Sequence, residues 1–255
     1  MLHCHDKVYI QYQGINKFTA KYDIAGLKIL MTTYYDTTRE LASDYLAKTD
    51  WDEPDYVIDL GLDYYEFRKT TGLGQLSDDD IEYVSTGSYF NRVLIAEQSI
   101  MLHSSAVVVD GYAYLFSADK GTGKTTHTQL WLEEFGDRAY IINDDKPAIK
   151  NVDGEWFVYG TPWCGKDYTN TNAKVKLGAI VFLERSEENW IEPENIVDAI
   201  PKFYKQTIRK LAQEKNVDKV LSTMEKILSE NPIYKMGCNI SKEAVEMAYE
   251  KIRRV

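Results

Sequence analysis

The chain has 255 residues, 44% of them hydrophobic and 27% charged, and carries a formal net charge of −10. That is enough apolar material for one large folded domain or two small ones, and the acidic balance argues against broad binding to nucleic acid or to an anionic membrane surface. No run approaches the roughly 18 apolar residues of a membrane span, and the opening MLHCHDKVYIQY lacks the apolar core of a signal peptide.

Taken in chain order, the first stretch is strand-rich. KVYIQYQG, KFTAKYDIAGLKILMTTYY and DYVIDLGL carry β-branched and aromatic residues broken by Gly and Asp. TTRELASDYLAK has helical spacing, and LGQLSDDDIEYVST reads as a solvated polar loop with three successive aspartates. GSYFNRVLIAEQSIML then places apolar residues at helical intervals. HSSAVVVDGYAYLFSA predicts two strands joined at Asp110-Gly111, a pair suited to the positive φ angles of a tight hairpin. TTHTQLWLEEF predicts a helix, AYIIND a strand, and PAIK with GEWFVYG a second strand pair around Asp153-Gly154.

KLGAIVFLER is a strongly apolar strand, Pro193 to Glu230 is helical in pattern, PIYKMGCN is a last strand and SKEAVEMAYEKIRR a last helix with Ser241 as N-cap. Neither repeat nor low-complexity linker interrupts the chain. Residues 1–95 therefore read as an N-terminal region integral to the same domain as a core over 96–255.

Cys4, Cys164 and Cys238 are scattered and odd in number, as expected for reduced thiols in a cytoplasmic protein. His3-Cys4-His5 has a metal-like composition but no second Cys/His pair to complete a site. The 19 tyrosines suit packing at half-buried positions.

The chemistry concentrates in LFSADKGTGKTTHTQLW, Leu115 to Trp131. It ends like a phosphate-binding loop, except that the usual first glycine is Ala118. Such a loop needs backbone N–H groups converging on phosphate, hence a tight turn with little side-chain bulk. Gly121 and Gly123 provide this, and alanine is the smallest replacement for a missing glycine. Asp119, Lys120, Gly121, Thr122, Gly123, Lys124, Thr125 and Thr126 are thus the candidate nucleotide-binding residues. Lys124 reaches the outer phosphates, Thr125 offers its hydroxyl to Mg²⁺, and the next helix points its positive end at the anion. Some 20 residues on, Asp144 and Asp145 close an apolar strand. A carboxylate there holds Mg²⁺, directly or through water, or takes the proton from an attacking hydroxyl.

These residues resemble the HPr kinase/phosphorylase family and the related phosphoenolpyruvate carboxykinases. LHSSAVVVDG resembles the family's His-containing strand pair, SADKGTGKTT its phosphate loop, and INDD its paired aspartates. The resemblance covers about residues 88–250 and includes the tail NPIYKMGCNISKEAVEMA. It implies an α/β P-loop kinase fold with mixed, largely antiparallel sheets flanked by helices. It further implies Asp144 as the base, His103 beside the transferring phosphate, and Asp145 assisting metal or fold. No counterpart is found for the separate N-terminal domain of the dedicated HPr kinases or for their arginine-bearing loop tied to phosphorolysis. The implied chemistry then narrows to transfer of the ATP γ-phosphate.

In GTPWCGKDYTNTN, Gly160, Pro162 and Gly165 shape a loop. Trp163 and Lys166 either meet the acceptor or the γ-phosphate, or belong to a structural turn with a surface lysine. Cys164 reads as a packed thiol and His127 as a surface or packing histidine. Three functions remain in play. The first is an Mg-ATP kinase acting on a hydroxyl, either a serine or threonine in a peptide or protein or a small molecule. The second is an ATP-binding regulatory module, and the third a carboxykinase. The paired aspartates with His103 favour the first, because a pure binder needs no base.

Overall fold

The computed structural model describes residues 8–12, 15–207 and 217–254, so the His3-Cys4-His5 cluster lies outside the described residues. By backbone proximity the chain divides into two compact units, residues 1–93 and 94–255.

In the first unit β1 (Val8–Tyr12), β2 (Ile15–Ile24) and β3 (Leu27–Thr33) form an antiparallel meander, and β4 (Tyr56–Ile58) lies parallel to β3. The β2–β3 turn uses positive φ at Ala25 and Gly26. Alternate residues Leu27, Ile29 and Met31 are buried, as the two-residue period of a half-buried strand dictates. Helices α1 (Asp36–Leu41) and α2 (Leu62–Arg68) follow, then α3 (Asp78–Ala96).

The three aspartates are therefore not a loop: Asp78, Asp79 and Asp80 make the first turn of α3. There the positive end of the helix favours carboxylates. The N–H of Asp80 donates to Ser77 Oγ at 3.1 Å, and the Ser77 hydroxyl donates back to Asp80 at 2.7 Å. In the sequence this reciprocal cap is the Ser-x-x-Asp that precedes an apolar run. Helix α2 is likewise absent from the elements that the sequence pattern predicts.

The second unit contains β5 (Ile100–Met101), β6 (Ser104–Val109), β7 (Tyr112–Ser117), α4 (Lys124–Phe135), β8 (Ala139–Asn143), β9 (Ala148–Val152), β10 (Glu155–Tyr159), β11 (Lys174–Arg185), β12 (Trp190–Pro193), α5 (Ile196–Thr207), α6 (Val217–Glu230), β13 (Ile233–Cys238) and α7 (Lys242–Ile252). Its strands form one mixed sheet in the order β5-β9-β10-β11-β7-β6-β8, with β13 also on β11 and β12 on β13. Long β11 pairs β10 through its first residues and β13 through its last, while β7 takes its other edge. The Asp110-Gly111 hairpin forms as expected, with φ of 51° and 81°.

Strands β7, β11 and β13 run parallel, and β6 lies antiparallel to both β7 and β8. The C-terminal ends of β7, β8, β11 and β13 consequently emerge at one end of the sheet, together with the N-terminal end of β6.

Strand alternation splits the core between two faces. Ala106, Val108, Ala113 and Leu115 pack with Phe203 of α5 and with Met224 and Ile227 of α6. Val107, Val109, Tyr114 and Phe116 pack with Trp131 of α4 and with Ala244, Val245 and Ala248 of α7. Both sheet faces are thus covered, giving three layers. No helix among the described residues is long and apolar enough to cross a membrane.

Candidate active site

The loop after β7 starts at Ala118, which is buried and does not have positive φ, so its side chain is accommodated without backbone strain. Gly121 and Gly123 do have positive φ, 82° and 119°, and Gly123 is the N-cap of α4. An L side chain is strained at either position. The loop therefore turns through two glycines straight into a helix start, where N–H groups lack intrahelical partners.

Lys124, in the first turn of α4, is buried. Its Nζ donates to the carbonyl oxygens of Ala118 at 2.8 Å and Asp119 at 3.3 Å, so the ammonium curls back over the loop. Outside the loop, the Arg185 guanidinium at the end of β11 donates to the carbonyl oxygens of Gly121 and Thr122. Those carbonyls are thereby engaged by Arg185.

The acidic turn after β8 is built by Asn143, fully buried. Its side-chain oxygen accepts from the N–H groups of Asp145 at 2.9 Å and Lys146 at 2.6 Å. Its amide donates to the carbonyls of Thr161 at 3.0 Å and Trp163 at 3.2 Å. Asn143, the second residue of INDD, is thus the residue that turns the chain, a role that the sequence pattern does not assign to it.

The two aspartates sit in different surroundings. Asp144 is buried, and that desolvation raises its pKa above the ordinary carboxylate value. The N–H of Gly165, donating at 2.5 Å, opposes the rise, and the neighbouring Asp145 charge adds to it. Burial pushes Asp145 upward as well, but hydrogen bonding from His103 and the charge of Lys146 outweigh it and hold the carboxyl well below the usual range. His103 Nε2 lies 3.1 Å from Asp145 Oδ1, a contact that is attractive only when that nitrogen carries a proton, and Lys146 Nζ lies 3.1 Å from Oδ2.

A cavity of about 1020 Å³ joins these groups. Lys120 through Thr126, His103, Asp144, Asp145 and Lys166 all line it, as do Arg185 and Ile240 from the ends of β11 and beyond β13. Its size suits a nucleotide-scale ligand.

Two sequence candidates are placed elsewhere. Trp163 is 3% exposed and does not line the cavity, and its backbone carbonyl accepts from the Asn143 amide. Asp119 turns its carboxylate out of the cavity toward Lys205 at 2.6 Å and Gln206 at 3.0 Å. Burial places Cys164 among packed thiols, with Asn170 donating to its sulfur at 3.3 Å. His127 is a packing residue: Trp131 donates to its Nε2 at 3.1 Å, Phe116 meets its ring edge-on, and burial depresses its pKa to about 4.

The oxygen donors suit Mg²⁺, which takes few protein ligands beside phosphate. Thr125 and Asp144 face the cavity, whereas both Asp145 oxygens are already engaged, which fits contact through water. Among the described residues no group of three or more His, Cys, Asp or Glu side chains is arranged to hold a metal alone.

No protein-family model matches the chain, and no curated protein matches it in sequence. Among solved structures it is similar to the HPr(Ser) kinase/phosphatase from Coxiella burnetii, with 9% identity and a TM-score of 0.35, over 59% of this chain and 95% of that one. A likeness at that TM-score is too slight to support a functional assignment.

Proposed function

We propose that the chain is an ATP-dependent phosphotransferase that moves the γ-phosphate to a hydroxyl, that of a serine or threonine in a peptide or protein or of a small molecule. The observation that carries this reading is the divergence of Asp144 and Asp145 at a cavity shared with the glycine loop. Two adjacent carboxyls pushed in opposite directions are what a site needs when one must exchange a proton and its neighbour must stay charged. A module that only binds nucleotide needs no such division.

In this reading the loop N–H groups and Lys124 hold the β- and γ-phosphates. Thr125 and Asp144, with Asp145 through water, would hold Mg²⁺, which would supply charge neutralisation at the phosphates. Asp144, at the end of β8 beside the glycine loop, accepts the acceptor's proton. The Gly165 N–H fixes one of its oxygens. His103, anchored on Asp145, lines the same cavity and offers charge to the moving phosphoryl group. Lys166, exposed and lining the same cavity, meets the acceptor in this reading.

The test is a γ-³²P-ATP transfer screen against hydroxyl-bearing peptides and metabolites, run beside Asp144→Asn. Label appearing on an acceptor with the wild type and not with the variant supports the proposal. Tight Mg-ATP binding with no transfer to any acceptor class points to a regulatory module, and an oxaloacetate requirement points to a carboxykinase.

A further inference from the structure

The glycine loop and the acidic turn are linked by a route that the phosphotransfer reading does not use. Gln206, buried near the end of α5, stands between them. Its Nε2 donates to Asp119 Oδ1 at 3.0 Å, and its Oε1 lies 2.7 Å from His103 Nδ1. The N–H of His103 also donates to the Gln206 carbonyl at 3.1 Å. Beyond the ring, His103 Nε2 meets Asp145, which meets Lys146. Four side chains, Asp119, Gln206, His103 and Asp145, thus run unbroken from the loop to the turn.

The polarity of this chain follows from elementary chemistry. A carboxylate accepts and cannot donate. Asp119 is ionised, its pKa lowered by its hydrogen bond with Lys205. The amide nitrogen of Gln206 must therefore face Asp119, which turns the amide oxygen to His103. An amide oxygen only accepts, so Nδ1 carries the hydrogen. Nδ1 thus faces an acceptor in Gln206 as Nε2 faces one in Asp145, and each contact is a hydrogen bond only with a hydrogen on that nitrogen.

We propose that Gln206 is a positioning residue that sets the orientation and hydrogen-bond polarity of His103 and ties it to the glycine loop. The inference rests on the phosphotransfer reading only for its catalytic consequence. Through Gln206, a displacement of the loop on binding phosphate is passed to the ring that anchors Asp145.

The experiment uses the full chain labelled with ¹⁵N-histidine, with His103→Ala identifying the His103 signals. In the wild type, without nucleotide, ring spectra should show Nδ1 of His103 protonated and slow to exchange. Gln206→Leu keeps the bulk and removes both bonds; the slow Nδ1 proton should be lost. ATP turnover should fall about ten- to a hundredfold while the Mg-ATP dissociation constant moves less than about threefold, as for a small displacement of a catalytic group. Gln206→Glu opposes two carboxylates and should show the same turnover loss. Combining it with Asp119→Asn exchanges amide and carboxylate along the chain, and should restore the ring signal and most of the turnover. An unprotonated Nδ1 in the wild type overturns the proposal. So does a wild-type ring spectrum in folded Gln206→Leu, or a failure of the exchanged pair to restore the signal. If the wild type turns over no ATP, the phosphotransfer reading falls while the ring spectra still decide the role of Gln206.

Discussion

Replacing Asp144 with asparagine should damage catalysis and stabilise the fold at once. The amide keeps the shape of the carboxylate, and its oxygen still accepts from the Gly165 N–H, now at 2.5 Å. It cannot take a proton, so transfer should fall about 10²- to 10⁴-fold, the usual worth of a positioned base. The affinity for ATP without Mg²⁺ should be unchanged.

The stability effect comes from the same surroundings. Desolvation and the adjacent Asp145 charge both disfavour ionised Asp144, and the raised pKa reports their sum. A carboxyl with its folded pKa above its unfolded value costs nothing while protonated in both states. Its penalty grows as pH rises through the folded pKa. Removing the charge at neutral pH should add about 1 kcal/mol, within the range of single stabilising changes at strained functional sites. For a protein of this size that raises Tm by about 2–4 °C. The gain should be present at pH 8 and vanish below about pH 4, where aspartates are protonated whether folded or not. Thermal melts across that range, beside single-turnover transfer assays, test both halves. Undiminished transfer would refute the base assignment. A Tm unchanged or lowered at pH 8 would refute the account of the strained carboxyl.

Lys124→Ala should leave far-UV circular dichroism intact and lower nucleotide turnover by at least about 10²-fold, since it removes the ammonium over the loop; near-normal turnover in the folded variant would exclude the nucleotide site. His103→Ala should lower transfer more than it lowers Mg-ATP affinity, which titration calorimetry and initial rates compare directly. The same variant should be more sensitive to acid. The depressed pKa of Asp145 stabilises the protein above the unfolded value and is lost as pH falls through the folded one, so without its histidine that loss should begin at higher pH in acid-denaturation curves. Gly160→Ala should lower stability by about 1–3 kcal/mol or more in urea melts, as overpacking does, because an added Cβ would stand 1.9 Å from the Thr171 carbonyl oxygen, a backbone atom that cannot swing aside.

Much is legible in the sequence because it is written in local rules. Alternating residues such as Val107/Val108 and Tyr114/Leu115 state that both faces of their strands are buried, whichever layer covers each. Asp110-Gly111 states a hairpin, and two glycines before Lys124 state a turn that side chains would strain. The Ser77 cap of α3 is equally local, but three successive aspartates suggest a solvated loop when weighed for charge rather than for position. The gathering of His103, Lys124, Asp144 and Lys166 around one cavity is decided by the sheet: β6 runs against β7 and β8, which brings the start of one strand to the ends of the others. Adjacent Asp144 and Asp145 are indistinguishable in sequence, and only their neighbours, Gly165 for one and His103 and Lys146 for the other, drive their proton affinities apart. The burial of Trp163 and the place of Gln206 between loop and histidine escape the sequence for the same reason. Burial and hydrogen-bond partners belong to residues distant along the chain, whereas glycine turns, caps and alternation are set by neighbours within a few bonds.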